Sequence, residues 1–177
     1  MLSKILSNCK NQWKDAVEDK NHPFKYFVLS TVNHRNKINS RKVVLRKFNP
    51  EDLCFSIFTD FRSKKVNDLQ SSKSVQLLFY NPEDAIQIIV NAILINKNTD
   101  IKIFNKLSEH SKKNYTTLYS PGTIIENPYN LEYGKKINFC ELSFKAVSFE
   151  TLSLKKELNI RTFFELKNSW KGIFLVP

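Results

Sequence analysis

Two groups of cationic and hydroxyl side chains have the types and spacing needed to bind a phosphate. The first lies in residues 40–47 (SRKVVLRK), where Arg41 and Arg46 each have a lysine beside them. The second comprises Thr59 and residues 62–65 (RSKK), at the expected start of a short helix. Backbone N–H groups and the helix dipole favour an anion there, arginine adds bidentate hydrogen bonds, and lysine adds a point charge. Spacing alone, however, favours the simpler interpretation that these are solvated charges at a strand edge and a helix end.

Residues 40–47 are expected to form a strand, and successive side chains of a strand point to opposite faces. One face of this strand carries Arg41, Val43 and Leu45. The opposite face carries Lys42, Val44 and Arg46. The pattern therefore predicts that each face of the strand presents one arginine beside apolar side chains.

The elements that must position these side chains are mainly strands. Apolar residues spaced by three and four predict an N-terminal helix within residues 1–22. Aromatic and β-branched runs predict strands over residues 24–33, 40–47, 53–59, 74–80, 85–96, 137–149, 149–154, 160–166 and 170–176. Two further helices are expected over residues 64–71 and 100–118, and a loop over residues 121–136. Short strands joined by hairpins, with few helices, indicate an antiparallel barrel rather than a parallel βαβ fold.

Composition predicts one folded domain over residues 1–177, since 41% of the residues are hydrophobic. No apolar run is long enough for a transmembrane helix and the N-terminus has no secretory signal, so a cytoplasmic protein is expected. The three cysteines are far apart and the three histidines lack ligand spacing, which argues against a disulfide framework or a metal site. No GxGxxG or Walker motif occurs, which argues against a Rossmann or P-loop nucleotide site.

The formal net charge of +11 allows three interpretations. The favoured one is compositional, because chains rich in asparagine, lysine and isoleucine are typical of AT-rich genomes. The other two are binding to nucleic acid and binding of a phosphorylated small molecule by a few of the cations. The chain has no zinc finger, helix-turn-helix or RNP motif, so a nucleic-acid partner is not expected.

The order of the motifs resembles the pyridoxamine 5′-phosphate oxidase-like family of FMN-binding split barrels. The strand with STVN, the RxVxLR element in residues 41–46 and the FTxxxSxK element in residues 58–65 follow one another as in that family. The segments SVQLLFY, AIQIIV, NIRTFF and SWKGIFLVP complete a resemblance that covers most of the chain from about residue 13. The TD-RSKK variant is most similar to a short bacterial and cyanobacterial branch. The resemblance implies an antiparallel split β-barrel with a few flanking helices.

The resemblance also implies a set of FMN-binding residues. The first arginine of RxVxLR and the lysine of SxK would grip the FMN phosphate, and the backbone of these two elements would line the flavin. A glutamine on the fifth strand and a late arginine would approach the flavin, the glutamine often from the partner subunit. The implied residues are Arg41, Val43, Val44, Leu45, Arg46, Phe58, Thr59, Ser63, Lys64, Lys65, Gln87 and Arg161. A homodimer with FMN at the subunit interface is therefore expected.

Departures from the family pattern lie in the substrate pocket. The Arg-x-His pair of the true oxidase is replaced by residues 157–159 (ELN), and only Ser111 matches the ligands that hold the substrate phosphate. The tryptophan near the flavin corresponds to Thr151 or Leu152. We expect an FMN-dependent oxidoreductase for a small-molecule redox substrate other than pyridoxamine phosphate, with no catalytic residue assigned. The alternatives are a non-catalytic flavin carrier or sensor and, less favoured, a basic nucleic-acid-binding protein.

Overall fold

The computed structural model describes residues 1–155 and 158–177. The helices in these ranges are α1 (Leu2–Glu18), α2 (Lys64–Ser71), α3 (Ile101–Asn105) and α4 (Glu109–Lys113). The strands are β1 (Tyr26–Val32), β2 (Ile38–Val44), β3 (Lys47–Asn49), β4 (Cys54–Asp60), β5 (Ser74–Asn81), β6 (Ile86–Asn98), β7 (Phe139–Leu154), β8 (Asn159–Glu165) and β9 (Ile173–Leu175). Most predicted elements are confirmed within a few residues, and α2 has the predicted bounds.

All recorded strand pairs are antiparallel and belong to one sheet with the order β2-β1-β5-β6-β7-β4-β3. Strand β7 is shared, because its residues 139–145 pair with β4 and its residues 148–154 pair with β8. Strand β9 continues the sheet beyond β8. Among the described strands, β2 and β3 stand at opposite ends of this order and the sheet is not closed. The prediction of an antiparallel split barrel is confirmed.

Residues 40–47 form two strands rather than the predicted single one. Strand β2 ends at Val44, after which the N–H of Leu45 donates to the carbonyl of Lys25 at 2.9 Å. The N–H of Arg46 donates to the carbonyl of Ser56 on β4 at 2.9 Å, so the chain crosses here from β1 to β4. The predicted strands 137–149 and 149–154 are one strand, β7, because β6 pairs with it along almost its whole length.

Helix α1 closes the core, as its apolar face predicts. It buries Cys9, Trp13 and Ala16. The Trp13 indole is fully buried among four phenylalanine rings whose centroids lie 5.1–5.9 Å away, those of Phe48, Phe55, Phe79 and Phe149. These rings come from β3, β4, β5 and β7, so one helix residue joins both halves of the split sheet.

The predicted helix over residues 100–118 is wrong in extent. The structure has two five-residue helices, α3 and α4, separated at residues 106–108. The break coincides with Ser108, whose hydroxyl accepts the N–H of Ser111 at 3.3 Å and caps α4. Serine favours this competing bond to the backbone over a position inside a helix. Tyr115 lies beyond α4, yet it is buried against Phe139 with the two rings nearly perpendicular.

No helix in the described ranges is long and apolar enough to cross a membrane. In the same ranges, no group of three or more histidine, cysteine, aspartate or glutamate side chains is arranged to hold a metal ion. The remaining candidate chemistry lies in the cationic residues near α2.

Candidate functional site

The connection between β4 and α2 is a turn organised by Asp60. The Asp60 carboxylate accepts the backbone N–H of Arg62 at 2.8 Å, and the Asp60 carbonyl accepts the N–H of Ser63 at 3.0 Å. An aspartate that bonds the backbone two residues ahead is a common turn former. The turn ends at Ser63 and α2 begins at Lys64. The first backbone N–H groups of α2, which have no hydrogen-bond partner inside the helix, therefore lie beside Ser63.

Three donor side chains meet at this helix start. The Thr59 and Ser63 hydroxyls lie 3.1 Å apart and both residues are buried. The Lys65 ammonium donates to the Thr59 hydroxyl at 2.9 Å and to the Ser63 hydroxyl at 3.3 Å. Burial is the largest cause that lowers the pKa of Lys65, and the nearby charge of Arg41 lowers it further. This half-buried ammonium stands beside a second cation, and an anion would stabilise both charges.

The second cation, Arg41, is held by side chains that sequence reasoning missed. Its guanidinium donates to the Thr31 hydroxyl at 2.7 Å, the Leu29 carbonyl at 3.3 Å and the Asp68 carboxylate at 3.4 Å. Asp68 is only 3% exposed and also accepts from Thr31 at 2.7 Å and from Asn39 at 3.0 Å. Burial lowers the pKa of Arg41, and the Asp68 charge opposes that effect. Asp68 therefore fixes the orientation of Arg41.

A signal for Asp68 exists in the sequence. Asp68 and the buried Leu69 lie three and four residues after Lys65, so both share a side of α2 with it. A carboxylate on the buried side of a helix, one turn after a candidate phosphate ligand, indicates a partner for a cation. Thr31 belongs to the STVN segment, but only the register of β1 on β2 brings it beside Arg41.

The donor set fits a phosphate dianion. It combines the Arg41 guanidinium, the Lys65 ammonium, two hydroxyls and the N-terminal end of α2, all of which are favourable groups for phosphate. Arg41 pairs with the buried carboxylate of Asp68, and the charge of Asp60, which acts on Lys65, is already paired with Arg62 at 2.7 Å. The region around the start of α2 therefore keeps a surplus of positive charge.

Arg46 lies apart from these donors. Its guanidinium carbon is 5.6 Å from the centre of the Phe58 ring, and that ring packs edge-on against Phe139 at 5.1 Å. Along the predicted strand, Val43 is half-buried and Leu45 is fully buried on the side of Arg41, as the alternation predicts. The β2–β3 crossover thus places a cation over an aromatic ring, next to an apolar stretch of backbone.

Arg62 and Lys64 do not contact the Thr59–Lys65 cluster in the way the charge run suggests. Arg62 turns away, pairing with Asp60 and donating to carbonyl oxygens of residues 117–119. Lys64 is exposed at the rim of the helix start. Of the RSKK run, the structure brings the Ser63 and Lys65 side chains to the cluster.

Gln87 and Arg161 lie on the opposite face of the sheet from Arg41. The row that contains Arg41 continues through the buried residues Leu29, Leu77, Val90, Phe149 and Phe164. Gln87 instead pairs with Leu152, which pairs with Arg161, so these three side chains share the outer face. The Arg161 guanidinium donates to the Glu150 carboxylate at 2.9 Å. Within one chain, the two groups of predicted ligands are therefore separate.

The outer face is apolar beyond what a solvent-exposed surface requires. Tyr26 and Tyr80 are about half exposed, and neighbouring rows carry Val28, Leu78, Ile89, Leu152 and Phe163. A cavity of about 520 Å³ opens beside Tyr26, Leu78 and Tyr80. An apolar patch of this kind marks a binding or assembly surface.

The residues compared with the substrate pocket of the family lie in different places. Thr151 is buried on the core side, where its hydroxyl is 2.6 Å from that of Thr162. Leu152 lies on the outer face between Gln87 and Arg161. Ser111 packs in α4 with its hydroxyl 3.0 Å from that of Ser108. Of the replaced residues 157–159, Glu157 lies outside the described residues, Leu158 is exposed and Asn159 begins β8.

Comparison with known proteins gives one family. Residues 6–95, about half of the chain, match the family model described as pyridoxamine 5′-phosphate oxidase, FMN-binding domain. A stretch of 52 residues is 42% identical to pyridoxine/pyridoxamine 5′-phosphate oxidase 2 of Hydrogenovibrio crunogenus. That stretch covers 29% of this chain and 24% of the relative, so the match spans about a quarter of the relative's length.

Solved structures share the fold along nearly the whole chain. A pyridoxamine 5′-phosphate oxidase-related, FMN-binding protein of Nostoc punctiforme superposes with a TM-score of 0.78 at 19% identity, covering 96% of both chains. PhzG of Burkholderia lata, in complex with tetrahydrophenazine-1-carboxylic acid, superposes with a TM-score of 0.76 at 16% identity, covering 97% of this chain and 91% of PhzG. At such identities the likeness shows the fold alone.

Proposed function

Since this chain belongs to the pyridoxamine 5′-phosphate oxidase FMN-binding domain family, with FMN as its cofactor, we propose that it is an FMN-dependent oxidoreductase that works as a homodimer. The observation that carries the proposal is the cluster of Thr59, Ser63 and Lys65 at the start of α2, with the Arg41 guanidinium near enough for its charge to lower the pKa of Lys65. FMN joins a phosphate, through a ribityl chain, to a flat aromatic ring system, and the start of α2 offers the donors that this phosphate needs. When bound, FMN supplies hydride or electron transfer.

We assign the phosphate to the donor cluster. Thr59 and Ser63 already direct hydroxyls at the Lys65 ammonium, and an incoming phosphate would accept from all three groups. Arg41 is held in place by Asp68 and Thr31, so little side-chain entropy is lost when its guanidinium binds an anion. Exposed Lys64 would add charge at the rim.

We assign the flavin ring to the β2–β3 crossover. The ring would lie along the backbone of Val43, Val44 and Leu45, with Arg46 and Phe58 at its edge. Support comes from the half-buried side chains of Val43 and Val44 and from the Arg46 guanidinium over the Phe58 ring. A cation in this half-buried position would favour negative charge on a bound ring.

A second copy of the chain would complete the site. Gln87 and Arg161 lie on the outer face, opposite the face of Arg41, so they can approach the same cofactor only across a subunit interface. The outer face carries exposed apolar side chains, including Tyr26, Tyr80 and Ile173. Packing this face against its copy would remove that apolar area from water.

The substrate proposed here is a small redox-active molecule without the pyridoxamine phosphate group. In the segment expected to hold the substrate phosphate, Ile103 and Leu107 pack against an aromatic cluster. Lys112 there pairs with Glu109 at 2.7 Å, and the hydroxyl of Ser111 lies 3.0 Å from that of Ser108. The same fold in PhzG is compatible with a tricyclic carboxylic acid.

The test begins with the purified full-length protein. We expect a flavin absorption spectrum, release of FMN on denaturation by mass spectrometry, and a light-scattering mass near 42 kDa, twice the 20.8 kDa of one chain. Arg41→Gln and Lys65→Met should lose bound FMN. Arg35→Gln, in the exposed β1–β2 turn, is the matched control and should keep it.

Activity is tested separately by reduction with NADH or NADPH and reoxidation by oxygen or dye acceptors. Turnover supports the oxidoreductase proposal, and bound FMN without turnover across a broad donor and acceptor panel would favour the carrier or sensor alternative. A colourless protein that also fails to bind added FMN would contradict both. In that case salt-sensitive affinity for DNA or RNA would become the interpretation to test.

A further inference from the structure

Arg62 is the most extensively hydrogen-bonded arginine near the candidate site, yet it does not face the phosphate donors. Its Nε and Nη2 atoms donate to the two oxygens of Asp60 at 3.0 and 2.7 Å. The same guanidinium donates to the carbonyls of Thr117, Leu118 and Tyr119 at 2.9, 3.1 and 3.2 Å. These carbonyls belong to the α4–β7 loop (residues 114–138).

The loop has an ordered base where Arg62 meets it. Thr117 and Tyr133 form an isolated antiparallel bridge. The N–H of Leu118 donates to Glu132 at 2.9 Å, and the N–H of Gly134 donates to Thr116 at 2.7 Å. Beyond this base the loop is exposed, and Ile124 and Tyr129 are more than nine-tenths exposed. Arg62 therefore fastens the base of the loop and leaves its tip free.

The other end of the same hydrogen-bond network is the start of α2, where Thr59, Ser63 and Lys65 are proposed to bind the phosphate. The Asp60 carboxylate that pairs with Arg62 also accepts the Arg62 N–H, and the Asp60 carbonyl accepts the N–H of Ser63. Asp60 is 4% exposed, so its charge depends on Arg62 for compensation. Seven residues, 59–65, thus carry both the phosphate donors and the attachment to the loop.

We propose that Arg62 is a positioning residue that fixes the 60–63 turn against the α4–β7 loop and so preorganises the start of α2 for the FMN phosphate. This inference rests on the proposed function. If the contact between Arg62 and the α4–β7 loop strengthens FMN binding at the start of α2, then by linkage bound FMN must strengthen the contact between Arg62 and the loop. The fork of guanidinium N–H groups is essential, because a lysine ammonium cannot bond the carboxylate and three carbonyls in this geometry.

The test is amide hydrogen exchange of the full-length protein with and without FMN, read at Leu118 and Gly134. FMN should slow exchange of these amides in the wild type by about fivefold or more, the scale of a modest coupling energy. In Arg62→Gln and Arg62→Lys, the FMN-dependent slowing should disappear and the FMN Kd should rise by about the same factor. Arg35→Gln should behave as the wild type.

Several outcomes would overturn the inference. Wild-type protein that binds FMN without slowing these amides would refute the coupling, as would an Arg62→Gln protein that keeps the full effect. If Arg62→Gln does not fold, Arg62→Lys, which keeps the charge, supplies the comparison. If the wild type binds no FMN, the proposed function fails. The contact between Arg62 and the loop is then tested without FMN: amide exchange at Leu118 must be faster in the Arg62 variants than in the wild type.

Discussion

Replacement of Asp68 by asparagine should destabilise the FMN-free protein and strengthen its binding of FMN. Asp68 is 3% exposed, and its carboxylate lies 3.4 Å from the Arg41 guanidinium. At this separation the Coulomb attraction is about 5 kcal/mol with an effective dielectric constant near 20. Asparagine avoids the cost of burying a charged carboxylate, which offsets part of the lost attraction. Arg41 is 22% exposed, so solvent already screens part of that attraction. We therefore expect unfolding to become easier by about 2 kcal/mol.

The phosphate should compensate for the missing carboxylate. In Asp68→Asn, Arg41 keeps its charge near Lys65 but loses the carboxylate that it pairs with, so FMN-loaded protein should lose less stability than FMN-free protein. Linkage then requires a lower FMN Kd in the variant. Urea denaturation with and without FMN measures both stabilities, and fluorescence titration measures the Kd.

The matched control is Asp52→Asn, which removes an exposed carboxylate 3.9 Å from Lys145. Such a pair contributes at most about 0.5 kcal/mol, so this variant should resemble the wild type. If Asp68→Asn loses the same free energy of unfolding with and without FMN, the Asp68 carboxylate does not compensate the charges that bind the phosphate. A loss no larger than that of the control would show that Asp68 does not hold Arg41.

Three further predictions follow from burial. Burial lowers the pKa of Lys65 from its ordinary 10.5, so FMN affinity should fall as the pH rises through that lowered pKa. FMN-free protein should become more stable between the lowered pKa and 10.5, because the unfolded chain binds the proton more tightly there. Titrations of Lys65→Met should show neither trend. Burial raises the pKa of Cys9 to about 12 and that of Cys140 to about 11, so Ellman's reagent at neutral pH should leave both unlabelled until guanidinium unfolds the protein, and rapid native labelling of either would contradict their placement. Trp13→Ala should cost about 3–5 kcal/mol of unfolding free energy in urea, whereas a loss below about 1 kcal/mol would mean that α1 does not close the core.

The fold could be predicted where local pattern and tertiary environment agree. Helix α2 has its predicted bounds, because Val66 and Leu69 give one apolar side and Ser63 precedes the first turn. The crossover at Leu45–Arg46 could not be predicted, since the whole run has uniform strand character. Only the competing bonds to Lys25 and Ser56 divide it between two strands.

The cations of the candidate site could be predicted from the sequence, but which residues pair with them depends on long-range contacts. Arg41 and Lys65 stand out by type and motif, and the structure places them close together. The pattern of α2 marks Asp68 as a partner for a cation, but only the packing of α2 beside β1 and β2 shows that this cation is Arg41. The direction of Arg62 depends on the loop carbonyls, which lie 55–57 residues away in the chain. Long-range contacts of this kind leave no local pattern.

The most direct test of the central proposal compares FMN with riboflavin, which lacks the phosphate, by calorimetric titration of cofactor-free protein. Two charge-assisted contacts, from Arg41 and Lys65, should favour FMN by about 3 kcal/mol, or roughly a hundredfold in Kd. Lys65→Met removes one of the two contacts, so its preference for FMN should fall to roughly tenfold while its affinity for riboflavin is kept. Equal binding of FMN and riboflavin by the wild type would contradict the assignment of the phosphate to the start of α2.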